Sequence, residues 1–106
     1  MSGGGVDAAL AALRAAYAEA LPGLLRDLES QLDQAAAHPE AAVRAARQAH
    51  RIRGTAGSHG FGEATEIAGR IEDALDEGLP VAPELRRALA ALVARCEEGR
   101  SNQKEA

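Results

Sequence analysis

The sequence predicts an all-α protein, and three observations carry that prediction. Alanine supplies about a quarter of the 106 residues, with Leu, Glu and Arg making up much of the remainder. Summed along the chain, those residues favour helix. β-branched residues are sparse and nowhere alternate with polar ones, the pattern a half-buried strand needs. Prolines and glycines fall between leucine-striped stretches and punctuate them. The length allows one compact domain around one core.

Five helices follow from stripe and punctuation. Asp7 can cap a first helix ending near Leu21, with Leu10, Leu13, Tyr17 and Leu21 on one side. Pro22 fits the first turn of a second, where its missing N–H is not needed. Leu24, Leu25, Leu28 and Leu32 give that helix its apolar face, and it fades by Ala37. Pro39 opens a third helix that runs through His50 to about Ser58. Phe61, Ala64, Ala68, Ile71 and Leu75 recur at three- and four-residue steps and mark a fourth, which "EGLPVAP" breaks. The fifth starts near Pro83 and turns Leu85, Leu89, Leu92, Val93 and Cys96 inward. Short connections predict antiparallel neighbours, hence an up-and-down four-helix bundle of the last four helices. The additional N-terminal helix is expected to lie across one end. Residues 1–5 read as a flexible leader, 6–99 as the domain and 100–106 as a disordered polar tail.

Composition narrows the function. A net charge of −4 is far from the basic balance of most nucleic-acid binders. The start "MSGGGVDAAL" does not read as a signal peptide, and no apolar run is expected to approach membrane-spanning length. Cys96 is the lone cysteine and cannot form an internal disulfide, which suits a reducing cytosol. His38, His50, His59 and Cys96 lack the close pairs that place two metal ligands on one turn, so no metal site is expected. A monomer is the simplest expectation, since the predicted helices leave no leucine seam exposed.

One stretch departs from the rest. "QAHRIRGTAGSHGFG", Gln48 to Gly62, runs a histidine and two arginines into four glycines. On a wheel of about 100° per residue, Ala42, Ala45, Ala49, Ile52 and Ala56 gather into a core arc. His50 lies on the far side, with Val43, Ala46, Arg47, Gly54 and Gly57, and Arg53 stands at the edge. Each glycine costs a helix interior about 1 kcal/mol relative to alanine. In so alanine-rich a chain, a physical reason for them is access: bare backbone lets another protein reach the imidazole. Arg53 offers donors to an anion held at the ring. Glu72, just off the stripe of the fourth helix, could accept a hydrogen bond from the imidazole Nδ1–H; Glu66 or a water could accept in its place, or Arg70 could be the ring's partner as a donor. A bond from Nδ1–H holds the neutral tautomer whose Nε2 lone pair is nucleophilic.

"AHRIRGTAGSHGF" resembles the signature of histidine-containing phosphotransfer (HPt) domains, roughly A-H-x-[IL]-[KR]-G-[ST]-[AS]-x-x-x-G. By that resemblance His50 is the phosphoacceptor, Arg53 the basic residue that stabilises phosphoryl charge, and Gly54 and Gly60 the family glycines. "IEDALDEG" is similar to the helix after the motif in the phosphotransfer modules of chemotaxis histidine kinases, where a glutamate bonds the imidazole; Glu72 occupies the matching place. The sequence departs from the family in having arginine where lysine is commoner, and His59 where an apolar residue is usual.

The resemblance implies a cytoplasmic phosphocarrier in two-component signalling, exchanging phosphate with receiver-domain aspartates and a sensor histidine kinase. It implies no ATP-dependent kinase activity and no cofactor on this chain, with Mg²⁺ supplied by the receiver. Val43 and Ala46 could form the small apolar centre of a docking surface, with Arg47, Gly54 and Gly57 beside it. Arg44, Arg47 and Arg51 make a basic edge that is either part of that surface or a solvated face paired with acids. No aromatic residues accompany these arginines, which disfavours nucleic acid. Two other readings stand beside this one. The bundle could regulate a receiver or kinase without carrying phosphate. It could also be the phosphoacceptor domain cut from a chemotaxis-type kinase, against which the start and tail of the chain argue weakly.

Overall fold

A computed structural model describes the backbone of residues 2–105 and the side chains of residues 5–99. Four helices follow one another: α1 (Ser2–Ala35), α2 (Pro39–Ser58), α3 (Gly62–Asp76) and α4 (Pro83–Glu105). Each packs on its neighbours in the cycle α1–α2–α3–α4–α1, so the chain forms the expected four-helix bundle. Asp33 pairs with Arg86 and Arg26 with Glu97, which fixes α1 and α4 as antiparallel.

Local chemistry sets the boundaries. Pro39 stands in the first turn of α2 after His38, whose backbone is extended, and Glu40 follows. Pro83 and Glu84 begin α4 in the same way. Both α2 and α3 end in Schellman motifs. At the end of α2, Phe61 N–H donates to Ala56 O at 2.9 Å and Gly60 N–H to Gly57 O at 3.2 Å. At the end of α3, Leu79 N–H donates to Ala74 O at 2.9 Å and Gly78 N–H to Leu75 O at 3.1 Å. Gly60 (φ 83°) and Gly78 (φ 72°) hold the left-handed position each motif requires. Part of the glycine-rich stretch is therefore a helix stop.

The core is uneven. Leu21, Leu25, Leu28 and Leu32 of α1 and Leu85, Leu89 and Leu92 of α4 supply its bulk. Opposite them, α2 and α3 contribute mostly alanine, with Ile52, Ile67 and Ile71 as the large members. A buried leucine or isoleucine is worth about 1.5–3 kcal/mol, so α1 and α4 provide most of the apolar stabilisation. Small residues between α2 and α3 let those two helices approach closely, and that approach builds the site. Ala45, Ala49, Ile52 and Ala56 are buried as the wheel predicts, whereas Ala42 is half-buried and Ala41 takes a fully buried place. Gln48 is also buried, and its Nε2 donates to Leu24 O at 3.1 Å, tying α2 to α1.

The N-terminal region differs from expectation. The additional N-terminal helix is not a separate element; it is the first half of α1, which continues through Pro22. An internal proline costs about 3 kcal/mol or more. Pro22 is itself buried between the core leucines Leu21 and Leu25, and tertiary packing offsets the local penalty. Asp7 consequently lies within a helix and caps nothing. With 34 residues, α1 is about 50 Å long and overhangs the 20-residue α2. Val6, Leu10 and Leu13 therefore stand exposed, the latter two contrary to the stripe reading, and the monomer expectation loses its ground. Tyr17 is the first residue of that stripe to find partners: its ring stacks on His59 at 4.9 Å and tilts against Phe61 at 5.7 Å.

Once continuous, α1 is long and apolar enough over Gly5–Ala35 to cross a membrane by length and composition alone, a length hidden when the stretch is broken at Pro22. Leu21, Leu25, Leu28 and Leu32 face the bundle interior, but only 17% of the apolar window is buried, and Leu10 and Leu13 stand exposed. At the chain ends, α1 begins at Ser2 and α4 runs to Glu105, so helix takes in residues 2–5 and 100–105 of the expected leader and tail. Gln103, Lys104 and Glu105 favour helix without needing burial. Met1 and Ala106 lie outside the described residues.

Candidate functional site

The close approach of α2 and α3 brings residues together in antiparallel register. His50 meets Glu72, Arg53 lies over Gly69 and Gly57 faces Thr65. Each pair is one step further along α2 and one step back along α3.

His50 stands mid-way along α2 with its side chain 76% exposed, while Glu72, on α3, is only 12% exposed. The imidazole Nδ1 lies 2.6 Å from Glu72 Oε2. A carboxylate accepts, so Nδ1 carries the proton and donates; in the neutral ring Nε2 then holds the lone pair. The carboxylate is fixed from the other side as well. Arg53 Nη1 donates to Glu72 Oε1 at 3.2 Å and stands 3.6 Å from Asp73 Oδ1. Arg53, expected to offer donors to an anion at the ring, rests on these two carboxylates. Both His50 and Arg53 are largely solvated, which limits such pairs to about 1 kcal/mol of stability. Their value lies in orientation.

The surroundings are small and open. Ala46, Arg47, His50, Arg51, Glu72 and Asp76 line a shallow depression. Val43, on the same helix, is 52% exposed. Arg44, Arg47 and Arg51 make no direct ion pair among the described residues, although Glu72 and Asp76 line the same depression as Arg47 and Arg51. A Cβ on Gly54 would project into open space, in keeping with bare backbone beside the ring. Gly57 is different: a Cβ there would stand 3.2 Å from Thr65 Oγ1. It belongs to the contact between α2 and α3, which a wheel drawn for one helix cannot reveal. Thr55 and Ser58 turn their hydroxyls back to Arg51 O (2.8 Å) and Gly54 O (3.1 Å), satisfying them within α2.

His59, half-buried against Tyr17, sits at the end of α2, while His38 precedes its start. No group of three or more His, Cys, Asp or Glu among the described residues is arranged to hold a metal ion. Cys96 packs at the core margin, and burial raises its thiol pKa, which disfavours the reactive thiolate. Three residues of the site escape sequence reasoning: Gly69, Asp73 and Asp76. The acidic run "IEDALDE" held a signal for the two aspartates, since Asp76 lies one turn beyond Glu72. Gly69 held a signal too, as a glycine inside a predicted helix where alanine is the better helix former.

The model of the Hpt domain family matches residues 12–99, most of the chain. No curated protein and no solved structure matches. The chain belongs to the Hpt domain family. It is thus a histidine phosphotransfer module of the phosphorelay type, in a family of phosphocarriers that work with receiver domains and kinases and are not kinases themselves.

Proposed function

We propose that this domain carries a phosphoryl group on Nε2 of His50 and relays it to and from receiver-domain aspartates. The observation that supports the reading best is the exposed imidazole whose Nδ1 is held by a nearly buried carboxylate beside the bare backbone of Gly54. In the forward step the Nε2 lone pair attacks the phosphorus of an aspartyl phosphate. The P–N bond forms as the P–O bond to the aspartate breaks, and the carboxylate leaves with the electron pair. The ring, still protonated at Nδ1, becomes a phosphoimidazolium, and Glu72 balances its positive charge. Reversal returns the group to another receiver.

Arg53 would lend a guanidinium N–H to the phosphoryl oxygens while keeping contact with Glu72. Phosphoryl transfer of this kind depends on positioning and charge neutralisation, and the receiver is expected to supply Mg²⁺ and its acidic residues. Val43, Ala46 and Gly54 offer a low surface for a receiver to rest on, and Arg47 with Arg51 offers positive charge to its acidic rim. Gly57 contributes by letting α3 close on α2. The reading implies a cytoplasmic setting, a sensor histidine kinase upstream, and neither nucleic acid nor membrane as partner.

Incubation with a receiver charged by a small-molecule phosphodonor tests it. Acid-labile, base-stable label should appear on the domain and be absent from His50→Gln. Label that persists on His50→Gln overturns the assignment.

A further inference from the structure

We infer that Gly69 is a positioning residue for the phosphoacceptor site, acting through Arg53. The inference deepens the reading of His50 as phosphoacceptor and rests on it for its functional consequence. Gly69 is a buried glycine inside α3, a place where alanine would be the better helix former. It adopts no conformation that requires glycine, so the reason must be space. A Cβ built there would stand 3.2 Å from Arg53 Nε, 3.4 Å from its Cδ and 3.5 Å from its Cζ. The arginine side chain lies in the notch that the missing methyl leaves. From that seat its guanidinium reaches Glu72 Oε1 at 3.2 Å and Asp73 Oδ1 at 3.6 Å.

The consequence runs along a chain of contacts. The notch sets the path of Arg53 across α3, and Arg53 holds one oxygen of Glu72. The other oxygen then faces His50 Nδ1 at 2.6 Å. A methyl at position 69 meets the atoms of a long, half-solvated side chain and no backbone, so the arginine gives way and the bundle stays intact. What changes is where the guanidinium rests: lifted from the notch, it no longer fixes Glu72. The imidazole loses part of the restraint on its tautomer, and Arg53 starts from another place when phosphoryl charge arrives.

The test uses the whole domain in four forms: wild type, Gly69→Ala, Arg53→Ala and the double variant. Helix content and melting temperature should be kept or raised in Gly69→Ala. ¹⁵N shifts of the His50 ring should show a smaller share of the Nδ1–H tautomer, and the Arg53 Nε–H resonance should move. Transfer from a charged receiver should slow several-fold. In the Arg53→Ala background, Gly69→Ala should add no further change in ring shifts or rate, the signature of action through the arginine. Unaltered ring and guanidinium signals in Gly69→Ala overturn the inference, as does an equal loss of rate in both backgrounds. If the wild type takes no phosphate on His50, the functional reading fails while the NMR comparison still decides the role of Gly69.

Discussion

Nδ1 of His50 and Oε2 of Glu72 meet at 2.6 Å, although 22 residues and a helical turn-around separate them in the chain. The contact exists because α2 and α3 are joined by a three-residue connection, 59–61, and lined by small residues where they touch. It converts a solvent-facing histidine into an oriented one.

Removing the acceptor should leave the fold and weaken the chemistry. Glu72→Ala is expected to slow transfer onto His50 about tenfold, the equivalent of about 1.4 kcal/mol in the barrier. Glu72→Gln, which keeps a carbonyl acceptor without the charge, should fall between that variant and wild type. Single-turnover transfer from a charged receiver, with circular dichroism as the control for folding, checks both.

Gly54 and Gly60 are expected to respond in opposite senses to the same change. Gly54 lies in an ordinary helix with open space around it, so Gly54→Ala should raise stability by about 0.5–1 kcal/mol. A bulky residue such as leucine at 54 should keep the fold yet hinder receiver docking. Gly60, at φ 83°, has no such freedom, and Gly60→Ala should destabilise by about 1 kcal/mol. Urea denaturation of each variant reads the sign.

The packing at the overhang of α1 gives a pH-dependent prediction. Burial pushes the Tyr17 hydroxyl above its ordinary pKa of 10.0. The folded state therefore keeps that proton longer than the unfolded chain. The associated stability is complete below the ordinary value and is lost as pH rises through the raised one. The hydroxyl is also buried without a hydrogen-bond partner among the described residues. Tyr17→Phe should accordingly hold or raise the melting temperature at neutral pH. Above about pH 10 it should lose less stability than wild type. Melts across pH 8 to 11 compare the two directly.

The core should be most sensitive where a large side chain faces alanines. Ile52, 1% exposed, is the one large apolar residue α2 contributes to the core, and Ile52→Ala should cost about 2–5 kcal/mol. The loss should loosen α2 against its neighbours and so reduce transfer at His50 as well. A chemical-denaturation midpoint and a transfer rate on the same sample measure both effects.

Much of this was legible in the sequence, and the exceptions share a cause. The bounds of α2 follow from Pro39 and the glycines after Ser58, and the outward face of His50 follows from the burial of Ile52 on the same helix. A hairpin of antiparallel helices places Glu72 opposite it. What fails are rules that treat one helix at a time. Pro22 reads as a helix start because the local penalty is visible and the burial that offsets it is not. Gly57 reads as bare surface because Thr65 belongs to another element. The contacts of Arg53 with Glu72 and Asp73 go unread because those carboxylates belong to another element. Leu10 and Leu13 read as core because nothing in their own stripe tells where the neighbouring helices stop.

The central claim concerns one ring atom, and its position can be observed. Phosphorylated domain, prepared from a charged receiver and labelled with ¹⁵N in histidine, gives phosphorus–nitrogen couplings that name the substituted atom. The account predicts coupling to Nε2 of His50 with a proton retained on Nδ1 facing Glu72. Phosphate on Nδ1, or on any residue other than His50, would contradict it.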